Sequence, residues 1–226
     1  YGGYYTKEDI AELVSYAAAR HIELIPEIEM PSHSEEVLAA YPELGCTGEP
    51  YKDSDFCVGN EAVFTFLETV LTEVMEMFPS EYIHIGGDEA GKEHWKTCPK
   101  CQQRMADENI SDVDGLQSYM IHRIGKFIVS KGRKMIGWDE ILQGGLAPGA
   151  VVMSWRGTEG GIEAMAAGHD VIMTPGRYCY LDHAQDAPFK EPESIGGYLP
   201  LDSVYVYEPF EPKMPKDKLN HILGLQ

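Results

Sequence analysis

Apolar residues at Ile10, Leu13, Val14 and Ala17 fall on one helical face, and Thr6 ahead of Lys7-Glu8-Asp9 supplies an N-cap. The pattern predicts an amphipathic helix to about Arg20. Ile22, Leu24, Ile25 and Ile28 make an apolar run within residues 22–30, kept short by Pro26 and Pro31, which predicts a strand ending in a loop. A long helix is expected next, capped by Asn60 and broken by Pro79, before the compact strand Tyr82-Ile83-His84-Ile85 runs into Gly86-Gly87. Helices near residues 92–109 and 113–131 precede a strand at Lys134-Met135-Ile136-Gly137, and Gly132 sits where a helix C-terminus favours a left-handed residue. The strand Val151-Val152-Met153-Ser154, a helix over residues 161–167 and the strand Val171-Ile172-Met173-Thr174 complete the alternation.

Five strands without polar alternation, separated mainly by helices, predict an α/β fold whose parallel sheet is buried on both faces. A doubly wound sheet and a (β/α)8 barrel share this period. No G-x-G-x-x-G follows a strand, which weighs against a dinucleotide-binding sheet. The unusual residues favour the barrel. His33, Asp88-Glu89, Trp138-Asp139-Glu140, Trp155-Arg156 and Tyr180 with Asp182 each lie at or just beyond the C-terminal end of a predicted strand. In a barrel those ends converge on one catalytic mouth.

At 226 residues the chain can bury one sizeable core, so a single domain over 1–226 is the expectation. Even the most apolar helix, residues 62–78, carries Glu68, Glu73 and Glu76, which excludes a membrane span there. The formal net charge of −19, with scattered Lys and Arg, argues against nucleic acid as a partner. Tyr1 opens the chain without an initiator Met or leader-like pattern, and the apolar run at residues 221–226 stops before a turn signal. A piece of a longer protein is expected.

Five cysteines suggest two local couples, Cys46 with Cys57 and Cys98 with Cys101, leaving Cys179 over. A Cys46–Cys57 loop disulfide would imply an oxidising compartment, hence a secreted or periplasmic protein. Zinc competes for the second couple. A four-cysteine site of the usual kind needs two closely spaced pairs, however, and Cys46 and Cys57 are too far apart for a knuckle. Neither a metal nor a cofactor is therefore expected.

Asp-Glu occurs three times, and context separates the copies. Asp107-Glu108 lies near a helix end and reads as a solvated face. Asp88-Glu89 follows an apolar strand and two glycines, which allow a tight turn and close approach of a ligand. Two carboxyls in a water-poor cleft repel when both are ionised, so one keeps its proton and can act as an acid. Glycoside cleavage needs such an acid and a group that stabilises positive charge at the anomeric carbon.

The stretch His84-Ile85-Gly86-Gly87-Asp88-Glu89 resembles the signature of glycoside hydrolase family 20. Gly137-Trp138-Asp139-Glu140, Ser154-Trp155-Arg156-Gly157 and Tyr180-Leu181-Asp182 are similar to its later motifs, in order and over nearly the whole chain. The resemblance implies a β-N-acetylhexosaminidase that removes terminal N-acetylglucosamine or N-acetylgalactosamine from oligosaccharides or glycoconjugates. The substrate's 2-acetamido oxygen would be the nucleophile. It assigns Glu89 as general acid and then base, and Asp88 as the group holding the acetamido N–H. Tyr180 would donate to the acetamido oxygen, Trp138 and Trp155 would wall its pocket, and Asp182 would bind sugar hydroxyls. His33, in Met30-Pro31-Ser32-His33, matches a family His that contacts the acid, although Glu29 and Ser32 stand where the family usually has Asp and Gly. The strands would be the third to seventh of eight, with the eighth begun near Leu223. Such an incomplete barrel predicts self-association through open edges and weak activity of the isolated chain.

Two rival readings differ in class. Gly86-Gly87-Asp88-Glu89 also begins the diguanylate cyclase signature, but Ala90 replaces the aromatic residue expected next, and alternating helices and strands do not suit its antiparallel hairpin. A catalytically silent sugar-binding fragment of the same barrel is the alternative, and turnover against binding separates it from an enzyme.

Overall fold

A computed structural model describes residues 3–226 of the chain. The chain divides into two compact units, one ending at Pro148 and the other spanning Gly149–Gln226.

The first unit begins with helix α1, Lys7–Ala18, where the Thr6 hydroxyl accepts from Asp9 N–H and the Asp9 carboxylate accepts from Thr6 N–H. This reciprocal cap satisfies amides that the first helical turn leaves over. Strand β1 is Glu27–Met30, shorter than the run predicted from residue 22. Pro26 has no N–H to enter a ladder, and its carbonyl accepts from His84 N–H at 2.9 Å, so pairing starts only there. Helix α2, Glu35–Ala40, and helix α3, Glu61–Met77, follow, the latter capped by the Asn60 side chain on Ala62 N–H as its sequence predicts. Strand β2 is Tyr82–Gly86.

The helix expected near residues 92–109 is broken into a single 3-10 turn, His94–Lys96, and helix α4, Pro99–Asp107. Proline fits the first helical position, where its missing N–H costs nothing, so Pro99 starts a helix where periodicity had suggested continuation. Helix α5, Val113–Ser130, and strand β3, Lys134–Trp138, close the unit's regular elements. Strands β1, β2 and β3 are parallel, with His84 opposite Glu27 on one side and Ile136 on the other. Ile83, Ile85, Met135 and Ile136 are buried with Phe64, Leu67 and Leu71 of α3 and Met120, Ile121 and Ile124 of α5. A strand apolar at consecutive positions has both faces covered, which is what the missing alternation foretold.

The cysteine couples are corrected. Cys46 is not bonded to Cys57, nor Cys98 to Cys101, and Cys179 is also free. Sequence proximity was a poor guide because the loop after α2 and the start of α4 fold onto each other. Cys46 thus faces Cys101 at 3.7 Å and Cys57 faces Cys98 at 3.7 Å. Without a disulfide, the sulfur chemistry no longer points to an oxidising compartment.

The second unit contains strand β4, Val151–Ser154, helix α6, Glu159–Ala166, strand β5, Val171–Met173, the short helices α7, Gly176–Cys179, and α8, Leu201–Tyr205, and strand β6, Ile222–Leu225. Strands β4, β5 and β6 are parallel in that order. The core is formed by Val151, Val152, Val171 and Met173 with Ala164 and Met165 of α6. In β6, Leu223 and Leu225 stay exposed.

Among the described residues no helix is long and apolar enough to cross a membrane.

Candidate active site

In the first unit the carboxyl ends of the three parallel strands carry the chemistry. Gly86 ends β2 at φ +67°, and a Cβ there would lie 1.8 Å from Glu29 Oε2, so both its backbone and its neighbour exclude a side chain. This tight turn delivers Asp88 and Glu89 directly after the strand. Glu89 itself has φ +52°, and so does His33, both non-glycine residues in the left-handed region. Such conformations are strained and concentrate where a side chain must be aimed.

His33 joins the pair. Its Nε2 lies 3.3 Å from Asp88 Oδ2 and 3.1 Å from Glu89 Oε2. Burial works against the imidazolium, but Asp88, Glu29, Glu89 and Glu35 together outweigh it and raise the His33 pKa. Asp88 is the deeper carboxylate, its side chain 15% exposed against 56% for Glu89. Burial raises the Asp88 pKa, opposed by a backbone hydrogen bond and His33 and reinforced by Glu89 and Glu27. Its Oδ1 is buried and has no hydrogen-bond partner among the described residues. An orphaned buried carboxylate oxygen is costly unless something donates to it.

Behind this pair stand two residues that sequence reasoning left without roles. Glu27 and Glu29 alternate along β1, and period two puts them on one face. Burial, then the charges of Asp88 and Glu27, push the Glu29 pKa up to about 8. Glu27 is held low, chiefly by His84, whose Nδ1 lies 3.1 Å from its Oε1. Trp138, the last residue of β3, donates from Nε1 to Glu27 Oε1 at 3.0 Å and packs edge-on against the His84 ring at 4.9 Å. Two acidic residues inside an otherwise apolar strand were the available signal. Gln117, fully buried on α5, donates to the carbonyls of Gly87 at 3.1 Å and Glu140 at 3.4 Å, fixing the turns that follow β2 and β3.

The second unit holds the other three expected site residues. Trp155 directly follows β4 and stacks on Tyr180 with ring centroids 6.2 Å apart and planes 13° from parallel. Gly176 N–H donates to Trp155 O at 2.9 Å, tying the start of α7 to the end of β4, so Tyr180 at the end of α7 meets the indole. Asp182 is exposed in the turn beyond it.

Parallel strands with a half-buried and an exposed carboxylate and a histidine beyond one carboxyl end, and aromatic rings beyond another, fit the class of α/β catalytic domains whose chemistry sits at the strand ends. Residues 1–226 match the family described as glycosyl hydrolase family 20, catalytic domain, and the chain belongs to it. Its fold class is α/β, the incomplete (β/α)8 barrel expected from the strand ends, with six parallel strands among the described residues. The chain is 49% identical to a beta-hexosaminidase of Porphyromonas gingivalis and 37% identical to one of Vibrio furnissii, over all of its own length in both cases. It spans only 30% and 39% of those relatives. Among solved structures it is similar to a Vibrio harveyi GH20 exo-β-N-acetylglucosaminidase in complex with N-acetylglucosamine. There the TM-score is 0.87 at 30% identity, covering 100% of this chain and 37% of that one. It is also similar to the Bacteroides fragilis beta-N-acetylhexosaminidase, with a TM-score of 0.84 at 33% identity, covering 99% and 46%.

Proposed function

We propose that the chain carries the acid–base machinery of a β-N-acetylhexosaminidase, which removes terminal N-acetylglucosamine or N-acetylgalactosamine from glycans by substrate-assisted, retaining hydrolysis. The observation that carries this reading is Asp88 Oδ1, buried beside Glu89 and lacking any donor among the described residues. An acetamido N–H is the kind of donor it needs. Asp88 thereby turns the acetamido oxygen toward the anomeric carbon and stabilises the charged oxazolinium-like intermediate. Glu89, more exposed on the same turn, protonates the departing oxygen and later takes a proton from water. His33 bridges both carboxylates and sets how they share protons.

Within the second unit, Tyr180 held against Trp155 is suited to donate its hydroxyl to the acetamido oxygen, with the indole face against the methyl group. Trp138 takes a further wall and Asp182 the sugar hydroxyls. The relative solved with N-acetylglucosamine supports the same substrate class.

Self-association belongs to this proposal. Among the described residues β1 pairs only with β2, and β6 only with β5, leaving sheet edges that invite a second copy.

The test is hydrolysis by the full-length protein of paired aryl β-glycosides with and without the 2-acetamido group. Turnover confined to the acetamido sugar, with the β configuration kept in the first-formed product, is expected. Equal rates on a plain β-glucoside would refute the mechanism.

A further inference from the structure

We propose that Cys46, Cys57, Cys98 and Cys101 form a zinc site that staples the loop following α2 to the start of α4, after the loop that follows β2. All four sulfurs lie within 4.8 Å of one another. Three of the separations are 3.7 Å: Cys46 to Cys101, Cys57 to Cys98 and Cys57 to Cys101. A tetrahedral ion with zinc–sulfur bonds of about 2.3 Å sets its sulfurs roughly 3.8 Å apart, which is the spacing found.

Two disulfides would instead draw sulfurs together in exclusive pairs at about 2.0 Å. Here Cys57 is equally near Cys98 and Cys101, and Cys101 equally near Cys46 and Cys57. This arrangement suits four ligands around one centre. The donor set is all thiolate, with no carboxylate or imidazole among the four, and so selects zinc over calcium or magnesium.

The surrounding backbone is built for the same end. Cys98 is the N-cap of α4 and Cys101 lies in its first turn, where the positive end of the helix favours a thiolate. Gly59 donates a backbone hydrogen bond to Cys101. Only a glycine permits that approach, because a Cβ on Gly59 would meet the Lys100 carbonyl carbon at 2.1 Å. Cys57, Cys98 and Cys101 are buried, as a structural rather than a reactive centre requires.

The two stapled loops also meet through side chains. Trp95 Nε1 donates to Phe56 O at 3.0 Å, Asp55 accepts from Lys92 N–H at 2.8 Å, and His94 Nδ1 lies 2.5 Å from Asp53 Oδ1. These contacts span the segment that leads from Glu89 to Cys98. A metal there ties the backbone that leads from Glu89 to α4 onto the loop that follows α2, a structural role.

The experiment uses the full-length protein purified without added metal or chelator. Elemental analysis before and after titration with a mercurial thiol reagent should show one zinc per chain released as four thiols are modified. Cobalt exchanged into this site should show the visible d–d and sulfur-to-cobalt charge-transfer bands of a tetrahedral thiolate complex. Cys101→Ser should lose one zinc equivalent and that spectrum, whereas Cys179→Ser keeps both. Should Cys101→Ser fail to fold, the release experiment on the unmodified protein decides alone. Intact mass revealing disulfides among these cysteines, iron in place of zinc, or four freely titrating thiols in folded metal-free protein would each overturn the proposal.

Discussion

Replacing Glu89 by Gln and Asp88 by Asn separates two functions that adjacent carboxylates could otherwise blur. Glu89 is 56% exposed and its carboxylate lies 3.1 Å from His33 Nε2, a position from which a proton can pass to a leaving group. General acid catalysis is typically worth about 10²–10⁴-fold, and that contribution is needed only when the departing oxygen is a poor leaving group. Glu89→Gln should therefore lower kcat/KM by roughly that factor on alkyl glycosides or disaccharides and far less on nitrophenyl glycosides. Asp88 Oδ1 is buried without a donor among the described residues, so in the proposed mechanism its bond to the acetamido N–H is charge-assisted and forms whatever the leaving group. Exchanging a charged for a neutral acceptor costs about 1–2 kcal/mol, or roughly five- to thirtyfold. Asp88→Asn should show a loss at least this large, nearly uniform across the series, since charge stabilisation of the intermediate goes with it. The assay is kcat/KM for the full-length protein on aryl N-acetylglucosaminides of graded leaving-group pKa, extended to a disaccharide. If the two variants yield parallel lines when log kcat/KM is plotted against leaving-group pKa, the assigned division of roles is wrong.

Glu29 keeps its proton in the folded protein up to about 8 but loses it near its ordinary value of 4.5 when unfolded, so the native state binds the extra proton between those pH values. Stability should then fall as pH rises through that window, and Glu29→Gln should flatten the decline in Tm between pH 5 and 8; an unchanged slope would contradict the assignment. The 226-residue chain alone should associate through the β1 or β6 edge, running as a dimer or larger in light scattering at micromolar concentration. A strictly monomeric species there would refute edge pairing.

Much of the strand order and the acid pair was legible along the chain. Buried parallel strands such as Ile83–Ile85 and Val151–Met153 announce themselves by apolar runs, and Thr6, Asn60 and the breaks at Pro26 and Pro79 act through local backbone chemistry, whereas the helix start at Pro99 was missed. The Gly86-Gly87-Asp88-Glu89 turn was equally visible, because left-handed backbone beside a carboxylate needs that composition. What depended on tertiary structure was every relation between residues distant in sequence. His33 reaches Asp88 across some fifty positions because β1 and β2 lie side by side. Glu27 and Glu29 had no assigned role along the chain; the parallel register of β1 and β2 puts Glu27 opposite His84 and sets Glu29 near Asp88. Cys46 and Cys57, too widely spaced for a knuckle by local rules, take Cys98 and Cys101 as partners because a loop and a helix start fold onto each other. Local preferences act within a turn or two of the chain, whereas ligand sets and shared protons depend on distances in space, which only the packed fold determines.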